Sequence, residues 1–216
     1  MAEPARDRDR QHPRRTRLAA RREPQLALRL AGVLGKYWQA ARRAHEGERW
    51  LRAALEAAGT AAPIRDRARG RIELASVLGI EDRRDDAKAT GAHGLALARE
   101  SGDHALIADA LVLLSGLAIS QKEFREARAL AIEALIHARN ANDEGLIAWA
   151  LMSRANTLPP GDHADSEYQE AAEALRSLGD RWHLAALSNS AAYRAIIHGR
   201  YADARRAARR DARACA

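Results

Sequence analysis

The sequence predicts an all-α fold, an α-solenoid of about five antiparallel helix pairs, and three observations carry that expectation. Only nine of the 216 residues are aromatic (one Phe, four Tyr, four Trp), and Ala and Leu dominate an apolar share of 47%. Such a composition favours helices over sheets. From Leu26 onward, amphipathic stretches of roughly 14 to 18 residues alternate with short breaks, the rhythm of helices packed in antiparallel pairs. Three of the breaks share one step, Gly102–Asp103, Asn142–Asp143 and Gly179–Asp180, separated by 40 and 37 residues. A period in that range marks stacked repeats.

Each break is both a stop and a start. Gly or Asn in the left-handed conformation ends one helix, and the Asp accepts from the free N–H groups of the next. Repeats therefore start near residues 23, 63, 103, 143 and 180. The first pair closes on Leu55 and Ala58, and the second on Leu95, Ala98 and Arg99. A shift of 40 carries the latter three onto Leu135, Ala138 and Arg139 of the third pair, and 37 more carries the last two onto Leu175 and Arg176 of the fourth. The fourth pair breaks its turn with Pro159-Pro160-Gly161, and the sequence ends within the second helix of the fifth. Ala87, Ala127, Ala134 and Ala204 fall where a neighbouring helix must come within about 8–10 Å, so nothing larger fits.

The order of residues within the repeats is informative in its own right. Leu34-Gly35-Lys36-Tyr37-Trp38 places large, small and aromatic residues in order, and Leu74-Ala75 and Leu114-Ser115 keep large-then-small at the same place. Gln121-Lys122-Glu123-Phe124-Arg125-Glu126-Ala127 and Gly199-Arg200-Tyr201-Ala202-Asp203-Ala204 set an aromatic three residues before an alanine. In these features the chain from about residue 23 to 216 resembles a degenerate tetratricopeptide (TPR) repeat array. The period is 37–40 residues instead of 34, and the closing Pro is absent. The resemblance implies a right-handed superhelical array whose first helices line a concave wall.

A narrower resemblance lies in the first repeat. Leu26-Ala27-Leu28-Arg29-Leu30-Ala31-Gly32, then Tyr37-Trp38 and Glu46-Gly47-Glu48-Arg49-Trp50-Leu51, resemble the entry to the C-terminal repeat arm of bacterial LuxR-type and MalT-like signal-transduction ATPase transcriptional regulators. The resemblance implies a sensor or docking arm. The engine modules have no counterpart in the sequence: GxxxxGK[ST] is absent, and nothing outside the repeats would form a DNA-reading domain.

The net charge of +7 and pI near 10.2 suggest a nucleic-acid binder until the charge is placed. Residues 1–22 carry +5 and residues 199–216 carry +4, which leaves −2 on the body. A basic recognition face belongs on the folded body, so nucleic acid is not the expected partner, and contact with it through the Arg-rich termini is the least favoured of three readings. The first 22 residues, rich in Arg and containing Pro4 and Pro13, read as a disordered arm. Neither a membrane span nor a signal peptide is visible, and the expected location is the cytoplasm.

Chemistry has little support. Cys215 is the only cysteine, next to the C-terminus, so no internal disulfide and no CxxC metal site is expected. Asp103-His104 and Asp162-His163 are adjacent in sequence, and side chains about 100° apart on a helix do not chelate one ion. No GxSxG elbow and no Gly-rich phosphate cradle occurs. No catalytic, cofactor or metal residues are assigned, and the protein is expected not to be an enzyme.

Recognition on the inner wall is the expectation that remains, toward a peptide or partner protein. The TPR resemblance places Arg29, Lys36, Gln39, Arg69, Asp109, Trp149, Asn156, Asn189 and Tyr193 there. Trp38 and Trp50 fall in core columns, while Trp149 is expected exposed. An effector-sensing arm of a regulator is the alternative, with Trp149, Met152 and Tyr193 lining an apolar pocket. Apolar surface around Ala195, Ile196 and Ile197 offers a homodimer contact.

Overall fold

The computed structural model describes residues 23–158 and 162–212. The basic arm at residues 1–22, the Pro159-Pro160-Gly161 turn and Cys215 lie outside them. Among the described residues there are ten α-helices, one short 3-10 turn and no strand. The helices are α1 (Pro24–Ala40), α2 (Ala44–Ala58), α3 (Ile64–Ile80), α4 (Arg84–Ser101), α5 (His104–Ser120), α6 (Phe124–Asn140), α7 (Glu144–Asn156), α8 (Asp162–Ser177), α9 (Arg181–Ile197) and α10 (Tyr201–Ala212). The first helices of the five pairs thus open at residues 24, 64, 104, 144 and 181.

Their boundaries follow from local chemistry. Pro24 opens α1, where its missing N–H would have had no intrahelical partner. Gly102, Asn142 and Gly179 adopt φ values of 68°, 52° and 67°, in the left-handed region. The Asp after each caps the next helix: Asp103 accepts from the Leu106 N–H at 3.1 Å, Asp143 from Leu146 at 3.0 Å and Asp180 from His183 at 3.1 Å. A second series of left-handed residues lies inside the pairs. Arg42, Asp82 and Lys122 have φ of 55°, 60° and 63°. The next N–H in each case donates back five residues, Arg43 to the Trp38 carbonyl, Arg83 to Leu78 and Glu123 to Ala118, at 2.8, 3.0 and 2.9 Å. That bond satisfies a carbonyl the helix end leaves open, and it offsets the left-handed strain.

The chain divides into two compact units, residues 1–113 and 114–216, so α5 contributes to both. In the first unit α1 packs on α2 and α3, α2 on α3, and α3 on α4. Leu28, Leu51, Val77, Leu78 and Leu111 are fully enclosed there. In the second unit α6 packs on α7, α7 on α8, α8 on α9 and α9 on α10, with α7 also touching α9. The α1–α3 and α7–α9 contacts join the first helices of successive pairs, as a stacked array requires. Ala87, Ala127, Ala134 and Ala204 are all buried at helix contacts. Ser115 shows why a small residue follows Leu114: fully buried, its Oγ donates to the Ala127 carbonyl at 2.8 Å.

The aromatic positions depart from the sequence expectation in detail. Trp38 is buried, but Leu34 and Tyr37 are exposed. Gly35 and Trp38, one turn apart, take the inward positions, which turns their neighbours about 100° away. Trp50 is half-buried instead of enclosed, and Phe124 and Tyr201, at the first positions of their helices, are exposed.

Candidate functional site

In the first unit, the polar residues expected on the inner wall gather around one that was not. Glu73 on α3 is 4% exposed. Gln39 Nε2 from α1 donates to its Oε2 at 3.3 Å, and the Arg69 guanidinium, one turn earlier on α3, stands 3.8 Å from its Oε1. That guanidinium is shared, because Arg69 Nη1 donates to Asp109 Oδ2 of α5 at 2.7 Å. Three first helices therefore meet through one network. Lys36 also acts on Glu73 electrostatically, and Arg29 is exposed on α1.

Room for this network comes from two glycines. A Cβ at position 35 would overlap the Glu73 carboxylate, and one at position 32 would lie 2.8 Å from Arg69 Cγ. Burial pushes the Glu73 carboxyl up to about 7, and the neighbouring Asp109 charge adds to that; Arg69, Lys36 and the Gln39 amide pull the other way. Glu73 thus holds its proton to higher pH than an ordinary carboxyl.

The second unit arranges its expected wall residues differently. Trp149 is half-buried, not exposed, because the His183 ring of α9 packs against it with centroids 4.3 Å apart. A column of one repeat does not reveal what the next repeat lays over it. Asn156 is drawn inward too: its side-chain oxygen accepts from the Tyr168 hydroxyl, and its carbonyl accepts from Arg194 Nη1 at 2.7 Å. Burial raises the Tyr168 hydroxyl to about 12, so it stays a neutral donor. Asn189 is exposed and Tyr193 is 64% exposed. Met152 is half-buried. A cleft of about 460 Å³ lies elsewhere in this unit, among α8, α9 and α10, lined by Tyr168, Gln169, Arg176, Ser188, Arg200 and Arg206 among others. Ile196 and Ile197, expected to be bare, are exposed.

Sequence reasoning missed Glu73, Tyr168, His183 and Arg194. The one available signal for Glu73 was a carboxylate at the repeat position that Val33 and Leu113 hold in the flanking pairs. It also missed a cluster of possible metal ligands, His45, Glu48 and Glu81, whose ligand atoms lie within 4.8 Å of one another. There, Glu48 Oε1 already accepts from Arg83 at 2.6 Å and Arg52 at 2.8 Å. Burial pushes Glu48 up, but those two arginines hold its carboxyl below the usual value, which describes an ion-pair knot. No helix among the described residues is long and apolar enough to cross a membrane.

No family model matches the sequence, and no curated protein matches it significantly. Solved structures do match in fold. A Rap protein complexed with competence and sporulation factor superposes with a TM-score of 0.74 at 15% identity, over 86% of this chain and 53% of that one. BtubC from P. vanneervenii superposes with a TM-score of 0.70 at 18% identity, covering 98% and 91%. The TPR-like repeats of a Podosopora anserina putative kinesin light chain give 0.57 at 15%, covering 87% and 93%. The chain spans about half the length of the Rap structure. At these identities the likeness establishes the fold, a TPR-like array of helix pairs; the LuxR-type and MalT-like resemblance finds no counterpart among these structures.

Proposed function

We propose that the protein is a non-catalytic interaction scaffold that recognises a peptide or partner protein on the face formed by its first helices, in the cytoplasm. One observation carries this reading: Lys36, Gln39, Arg69 and Asp109, drawn from three successive first helices, converge on buried Glu73. Stability alone does not call for such a knot, since well-packed apolar residues of similar volume often serve as well or better than buried charges. The match to a Rap structure solved with a bound factor supports recognition on a TPR-like array as the mode. Arg29 and Lys36 on α1 are the exposed groups of the first unit that such a ligand would meet; in the second unit, taken by itself, Asn189 and Tyr193 are exposed on α9.

The test uses the full chain beside an Arg29→Ala/Lys36→Ala variant, each as bait in cell extract, with captured proteins quantified by mass spectrometry. Both residues are exposed, and although Lys36 also acts on Glu73, the variant should melt within about 1 kcal/mol of the parent. The proposal expects a saturable partner that the variant loses by about tenfold, a loss near 1.4 kcal/mol. An identical set of partners on both baits would refute the assignment of this face.

A second reading, an effector-sensing arm of a bacterial transcriptional regulator, is favoured by the cleft of the second unit, whose 460 Å³ lies within the usual range for small ligands. A concentration-dependent rise in Tm with a small anionic metabolite, lost in Arg176→Ala, would support that reading.

A further inference from the structure

We propose that Glu73 is the specificity-determining residue of the first-helix face in the first unit: by taking up a proton it releases Arg69 from double neutralisation and tightens that face on an acidic peptide segment. This rests on the reading of the face as a recognition site and adds its ligand class and its regulation.

Glu73 is enclosed, and its carboxylate occupies the space left by the missing Cβ of Gly35. Arg69 lies between two carboxylates, 2.7 Å from Asp109 and 3.8 Å from Glu73. The unequal distances matter. With Glu73 ionised, the guanidinium is balanced from both sides; with Glu73 protonated, Asp109 alone holds it. Among Arg29, Lys36, Arg69, Glu73 and Asp109 the net charge rises from +1 to +2 on that single protonation. Arg29 and Lys36, both exposed on α1, set the sign of the ligand that benefits: an anionic segment gains and a cationic one loses.

The groups around Glu73 come from each neighbouring helix. Lys36 and Gln39 face it from α1, Arg69 from α3 itself and Asp109 from α5. Between α1 and α2, helix α3 presents Gly70, where a Cβ would meet Leu28 of α1 and Leu55 of α2, so that flank is apolar. Toward α4, Arg67 and Arg71 face His93, which burial and then those two charges hold below its usual value. Glu73 is the buried carboxyl among these groups, and burial places its titration near neutrality. Linkage then works in both directions, because an anionic ligand that favours protonated Glu73 must raise its proton affinity in turn.

The probe is a tetramethylrhodamine-labelled hexaglutamate peptide, which stays fully charged between pH 6 and 8, and the readout is fluorescence anisotropy with full-length protein at low salt. The wild type should bind about fivefold more tightly at pH 6 than at pH 8, the lower end of ordinary coupling between sites, beyond any change that the eight histidines impose on both proteins. Glu73→Gln should lose that excess and bind about fivefold more tightly than the wild type at pH 8. An equal pH response in the two proteins overturns the proton gate while leaving the face itself standing, since capture by the Arg29→Ala/Lys36→Ala pair reads that separately. Absence of hexaglutamate binding at either pH overturns the ligand class. Should Glu73→Gln fail to fold, carbon-13 NMR of the wild-type Glu73 carboxyl reads the same coupling: its midpoint should move to higher pH when the probe is added, and an unmoved midpoint refutes the inference.

Discussion

The faces offered by the first helices of the two units use the same repeat position for opposite chemistry. Arg29, Arg69 and Asp109 in the first unit and Trp149 in the second follow one another at intervals of 40 residues. In the first unit Arg69 and Asp109 at that position act on a buried carboxyl; in the second it supplies an indole covered by the imidazole of His183. The difference shows what a repeat fixes and what it leaves free. The left-handed turns, the Asp caps and the buried alanines recur in both units because backbone geometry demands them. The position facing away from that packing carries no such demand, so it varies, and under the proposed function that variation sets what each unit would recognise.

Breaking the shared scaffold should have the largest effect. Ala134 is fully buried on α6, and Ala134→Trp should overpack its helix contact and lower stability by about 3 kcal/mol. An unchanged denaturant midpoint would show that the alanine positions do not mark close contacts.

Glu73→Gln should act on the first unit alone and in a pH-dependent way. The folded carboxyl titrates near 7, above its unfolded value of 4.5. The folded state therefore binds more protons between those values, and the Glu73 contribution to stability falls as pH rises through that window. Relative to the wild type, Glu73→Gln should gain about 2 kcal/mol between pH 5 and pH 8 in urea titrations. Parallel curves for the two proteins would mean that Glu73 is ionised throughout.

Two smaller effects belong to the second unit. Tyr168→Phe leaves Asn156 without its hydroxyl donor and should cost about 1 kcal/mol, with no pH dependence below pH 9. A slope across pH 6–8 for this variant would blur the contrast between the units. Asp143→Ala removes the acceptor at the start of α7 and should cost about 1 kcal/mol, read most directly as faster amide exchange at Leu146. Unaltered exchange there would deny the cap its role.

The helix pairs were legible because their boundaries are local. A Gly or Asn followed by Asp specifies a left-handed stop and a capped start within four residues, and nothing distant needs to be known. The in-pair turns at Arg42, Asp82 and Lys122 were less visible, since these residue types seldom adopt positive φ and only the i to i−5 bond reveals them. The site was half legible. Lys36, Gln39, Arg69 and Asp109 could be named as wall residues from the TPR resemblance, but their convergence depends on Glu73, whose repeat position holds Val33 and Leu113 in the flanking pairs and so gives no hint of a carboxylate. Trp149 was misplaced toward solvent for the complementary reason. His183, 34 residues later, supplies the ring that covers it.

The most direct measurement places the photo-crosslinking residue p-benzoylphenylalanine at position 36 on α1 and, as a control, at position 56 on α2, both exposed in the first unit. After irradiation of full-length protein in cell extract, a first-helix recognition face predicts one dominant crosslinked partner from position 36, competed by excess unlabelled protein, and none from position 56. Crosslinks of equal yield from both positions, or from position 56 alone, would contradict it.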